Sequence, residues 1–74
     1  MYKVVVTVID VLDPEEITIT SYNIENDEDL SALYKLFKCE HFAGTSSVME
    51  DKECYTQTGF TDDLQIVTIS QIKL

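Results

Sequence analysis

Apolar and polar positions alternate with a period of two at both ends of the chain and fall at helical spacing in between. Residues 2–11, YKVVVTVIDV, put Val4, Val6 and Val8 on one face of an extended segment and Val5, Thr7, Ile9 and Val11 on the other. Both faces are largely apolar, which predicts a central strand. The LDPEE that follows suits a turn, because Pro14 pre-sets its backbone angle and Asp13 can bond the chain beyond it. Alternation resumes over 16–24, EITITSYNI, with Ile17 and Ile19 pointing one way and Thr18, Thr20, Tyr22 and Ile24 the other. Two such runs across a short polar break predict a hairpin.

From 27 to about 41 the period changes. Leu30, Leu33, Tyr34 and Phe37 form one helical stripe, widened by Leu36. Asn26 is placed to cap the helix, Asp27 to Asp29 complement its positive end, and Lys35 and Lys38 its negative end. Gly44 is the candidate stop. Residues 45–63 have the weakest pattern: 47–58 reads either as one irregular strand or as a short hairpin turning at Asp51 and Lys52, with a further turn at Gly59 and TDD. The last stretch, LQIVTISQIKL, alternates again, with Leu64, Ile66, Thr68 and Ser70 opposite Gln65, Val67, Ile69 and Gln71. The predicted order is β-β-α-β(β)-β. That is an α+β fold, a small antiparallel or mixed sheet of three to five strands with one helix packed on one face.

Length and composition narrow this picture. Seventy-four residues make a single domain, 45% of them hydrophobic, with two Gly and one Pro, which is too apolar for a disordered chain. Fourteen acidic residues against five Lys and no Arg give a formal charge of −9. Phosphate recognition draws on Arg forks or a basic stripe, so direct binding to nucleic acid or to an anionic membrane is not expected. No apolar run nears the roughly 20 residues that span a bilayer, and the N-terminal stretch has strand period rather than signal-peptide character, which predicts a cytoplasmic protein. Cys39 and Cys54 are accordingly expected as thiols.

Candidate chemistry is sparse. Cys39 and His41, with Cys54, come nearest to a metal set, but zinc wants four ligands, usually in close pairs, and no metal site is assigned. There is no Cys-x-x-Cys, and one histidine on a two-layer domain without a Gly-rich loop gives little basis for nucleophilic catalysis. A non-enzymatic protein without cofactors is expected.

What remains is surplus acid. Glu25, Asp27, Glu28 and Asp29 exceed what one helix start needs, since like charges repel faster than they add dipole energy. Glu50, Asp51, Asp62 and Asp63 are further candidates for contact with a partner, as are Tyr55 and Phe60, aromatic residues flanked by acids. If 47–58 is one strand, Asp62 and Asp63 join the helix-start acids. If it is a hairpin, they fall near Asp13 and Glu16 at the opposite end. A strongly negative pole steers basic partners, so the expected function is an acidic protein-binding module that occupies a basic surface of a nucleic-acid-binding protein or nuclease. In size, acidity and lack of catalytic groups the chain is similar to small virus-encoded proteins that inhibit host nucleases or defence systems; the likeness is one of profile, and no motif carries it. The alternative is a homodimer or larger homo-oligomer joined by sheet-edge pairing of the C-terminal strand.

Overall fold

Five strands and one short helix make up the computed structural model of the chain, which describes residues 1–37 and 41–74, with His41 described at its backbone only. In chain order they are β1 (Tyr2–Asp10), β2 (Ile17–Ile24), α1 (Asp27–Leu36), β3 (His41–Met49), β4 (Lys52–Phe60) and β5 (Gln65–Lys73). The strands form one antiparallel sheet in the order β2-β1-β5-β4-β3. The chain is therefore α+β with a small sheet.

The β-branched runs that alternate most cleanly occupy the middle of the sheet. Val4 and Val6 of β1 and Val67 and Ile69 of β5 are buried, and Leu33 of α1 joins them in one cluster. In register, Val6 pairs Ile69 and Val8 pairs Val67, so the two strands present one continuous apolar face. Tyr2, Val8, Tyr22, Ile24, Leu30, Tyr34 and Phe37 pack around it. Each fully buried aliphatic side chain stabilises the fold by ~1.5–3 kcal/mol, and the core contains few of them.

The middle of the chain departs from its sequence pattern. The helix stops at Leu36, with Phe37 at its C-cap, rather than near residue 41. Leu36 lies outside the apolar stripe and is exposed. Gly44 ends no helix: it sits inside β3 opposite Gln57, beneath the ring of Tyr55. The hairpin reading of 47–58 holds in a longer form, from His41 to Phe60. Met49 pairs Lys52, and the turn between them is Glu50–Asp51, both with positive φ (51° and 65°), one residue earlier than Asp51–Lys52.

A further correction concerns the C-terminal strand. Edge pairing requires unpaired backbone groups along an outer strand, whereas β5 is hydrogen-bonded to β1 on one side and β4 on the other. The outer strands are β2 and β3.

Candidate partner-binding surface

The helix start is built as its sequence suggests. Asn26 has extended backbone angles, and its side-chain oxygen accepts from the Asp29 amide at 2.8 Å. Asp27 has a further task, accepting from the Tyr2 phenol at 2.7 Å and tying α1 to the end of β1. That hydrogen bond to a carboxylate, together with desolvation and the charges of Asp27 and Glu53, raises the Tyr2 pKa above its usual value. Tyr2 thus reports that the helix start and the β3–β4 turn lie at one end of the sheet. Glu25, Asp27, Glu28, Asp29, Glu50 and Asp51 gather there, all exposed. So do Lys52 and Lys73, the latter paired in register with Tyr2. Capping and the Tyr2 contact account for part of this acidity, and the lysines offset more of it.

Among the described residues the loops at the opposite end have no such compensation; Lys38 lies outside the described residues. Asp10 ends β1, the β1–β2 loop carries Asp13, Glu15 and Glu16, and the β4–β5 loop carries Asp62 and Asp63, with no Lys in either loop. The two loops are joined: the Val11 amide donates to the Leu64 carbonyl at 3.0 Å. Each is also fixed internally. The Asp10 carboxylate accepts from the Leu12 amide at 2.9 Å, and the Glu16 amide donates to the Asp13 carbonyl at 2.9 Å. In the second loop the Leu64 amide donates to the Thr61 carbonyl (3.2 Å) and the Thr61 amide to the Gln65 carbonyl (3.0 Å), with Leu64 at φ 58°. Exposed apolar side chains stand among the acids. Leu12 is 79% exposed, and Leu64 and Phe60 are both about half exposed.

Of the residues singled out from sequence, the fold brings Glu25, Asp27, Glu28, Asp29, Glu50 and Asp51 to one end and Asp62, Asp63 and Phe60 to the other. Strands of nine residues hold these ends ~30 Å apart, several times the ~8 Å Debye length at physiological salt. The two ends therefore act as separate electrostatic surfaces. Tyr55 belongs to neither. It is half-buried on the sheet, its ring 6.4 Å from that of Tyr34 and its phenol donating to Gln57 at 3.1 Å. Tyr34 in turn donates to Gln71 at 2.6 Å, and burial, with Tyr55 nearby, pushes its pKa up to about 12. Asp10, Asp13, Glu15 and Glu16 counted in the sequence as surplus acid but not as contact candidates, and Leu12 was not singled out at all. The signal for them was the hairpin alternative at 47–58, which requires the β4–β5 loop to land beside the β1–β2 loop.

Among the described residues, no three His, Cys, Asp or Glu side chains converge as metal ligands. Cys39 and the side chain of His41 lie outside the described residues, and the Cys54 thiol donates to the Lys52 carbonyl at 3.7 Å. A depression of about 390 Å³ is lined by Tyr2, Val48, Glu53, Tyr55, Gln71 and Lys73 among others. No described helix is long and apolar enough to cross a membrane. Comparison with protein-family models, curated proteins and solved structures finds no match for the chain.

Proposed function

We propose that this chain is a non-enzymatic, acidic protein-binding module that meets a basic, nucleic-acid-handling protein through its paired loops. The observation that carries the reading is the joining of two lysine-free loops by the Val11–Leu64 hydrogen bond, which groups Asp10, Asp13, Glu15, Glu16, Asp62 and Asp63 around exposed Leu12 and Leu64. A rigid array of carboxylates offers a basic groove what a run of phosphates offers it, negative charge at close intervals. The apolar side chains add contact area that nucleic acid lacks, so the module can compete by shape as well as by charge. Inhibition of the partner follows where the groove so occupied is its nucleic-acid site.

The test begins with capture of basic proteins from the native host at low salt, followed by competition with duplex DNA. The retained protein is expected to be displaced by DNA. Joint replacement D13N/E15Q/E16Q/D62N/D63N is expected to slow its association by about 10-fold or more. The parallel replacement D27N/E28Q/D29N should leave most of the binding in place. Retention that is insensitive to DNA and to the loop replacements would overturn the reading.

A further inference from the structure

We propose that the sheet face turned away from the buried cluster is the seam of a homodimer, in which two copies pack face to face. Directly paired residues share a face and neighbours along a strand alternate, so the position of Val4, Val6, Val67 and Ile69 in the core assigns every other strand residue. The opposite face carries Val5, Thr7 and Ile9 of β1, Ile17 and Ile19 of β2, Ile66, Thr68 and Ser70 of β5, and Thr56, Thr58 and Phe60 of β4. Registers align Ile17, Ile9, Ile66 and Phe60 in one row across four strands. The next row reads Ile19, Thr7, Thr68 and Thr58. Some of the hydroxyls on this face pair across the strands, Thr58 with Thr68 at 3.4 Å and, one row on, Thr56 donating to Ser70 at 3.5 Å, which lowers the cost of covering them. An antiparallel sheet with a solvated face normally makes that face polar; here Ile17 and Ile19 are 54% and 68% exposed.

Two observations identify the occupant as a second copy. The first is charge. In a chain of net charge −9, no described strand residue on this face is acidic; the described carboxylates lie in the end loops, in α1 and, for Asp10 and Glu53, on the other side of the sheet. Two like-charged molecules can therefore meet here with their acids directed away from the seam. The second is the margin of the face. Lys3 lies on it near the helix-start end, and a two-fold axis crossing the strands would exchange ends, carrying Lys3 of each copy toward the lysine-free loops of the other.

Size-exclusion chromatography with light scattering at about 100 µM is expected to give twice the chain mass, with a melting temperature that rises with protein concentration. Ile19→Lys and Thr58→Lys alter exposed positions, so each should keep its far-UV circular dichroism while the dimer weakens by about 100-fold or more, because both place an unpaired ammonium in the seam. Val48→Lys, on the other side of the sheet, should remain dimeric. A monomeric wild-type chain under these conditions would overturn the inference. So would a dimer that survives both seam substitutions, or one lost equally with Val48→Lys. The basic-partner loops border the seam without forming it, and Ile19→Lys leaves every loop acid in place, so the monomeric variant should still show DNA-sensitive partner capture, which separates this inference from the proposed function.

Discussion

The half of the sheet made by β2, β1 and β5 and the half made by the β3–β4 hairpin are stabilised in different ways. The first contains every buried aliphatic residue described in the sheet, Val4, Val6, Val67 and Ile69, gathered under Leu33. The second buries only Gly59 among its described residues and leaves Phe42, Val48 and Met49 exposed. What anchors the hairpin is its ladder to β5, from Cys54–Ile72 to Phe60–Ile66, and the Tyr55 ring beside Tyr34. Hydrophobic burial thus holds one half, while backbone pairing and a few aromatic contacts hold the other. The same division bears on function. The hairpin's outward half and the uncovered face are where further partners have room, and the packed half fixes the loops that carry charge.

Truncating one aliphatic residue in each half should give the largest contrast in stability. Ile69→Ala removes a side chain that is 1% exposed at the centre of the core. It is expected to cost about 3 kcal/mol, from lost burial and the cavity left behind. Val48→Ala, at 70% exposure, should change stability by less than about 0.5 kcal/mol. Urea unfolding of both variants checks the contrast. Equal losses would mean that the hairpin side is packed against something in solution.

A smaller effect probes the hairpin's own anchor. A Cβ built on Gly44 would come within 2.7 Å of the Tyr55 Cζ, so Gly44→Ala must push the Tyr55 ring aside. The displaced ring would lose its hydrogen bond to Gln57 and its tilted contact with Tyr34. The expected cost is about 1–2 kcal/mol. In a Tyr55→Ala background the same change should be neutral or slightly stabilising, because the clash is gone and alanine restricts the unfolded chain more than glycine. A double-mutant cycle showing no coupling between the two positions would remove Tyr55 from the hairpin's support.

Gly44 also shows why the two halves were unequally legible. In β1 and β5 the dense β-branched runs match the buried centre of the sheet, so the pattern and the packing agree. The sequence HFAGTSSVM of β3 holds one β-branched aliphatic, Val48, with Gly, Ala and two Ser among its other residues. Its small residues answer to an aromatic ring on the neighbouring strand, a constraint that no local periodicity records. The helix was legible through Asn26, Leu30 and Leu33. Its end was not, because Phe37 continues the apolar stripe while serving as the C-cap. The loop surface depended on strand order, and strand order follows from pairings between residues far apart in the chain. The acids of the helix start drew attention because four stand within five positions; those of the loops are divided between residues 10–16 and 62–63 and converge only in the fold.

The smallest expected effect concerns the turn at the tip of the hairpin. A two-residue hairpin turn with both central residues at positive φ favours Asn-Gly, because a Cβ is disfavoured there. The chain instead has Glu50 at φ 51° and Asp51 at φ 65°. Both are exposed, and no described hydrogen bond uses either side chain. The paired substitution Glu50→Asn with Asp51→Gly should relieve backbone strain and stabilise the protein by about 1 kcal/mol, an increase visible in urea unfolding. Because the turn lies at the lysine-bearing end, ~30 Å from the paired loops, the substitution should leave DNA-sensitive partner capture unchanged although it removes two negative charges. A stabilised variant that had lost its partner would move the binding surface to the helix-start end, and the comparison of the two ends would then have to be reversed.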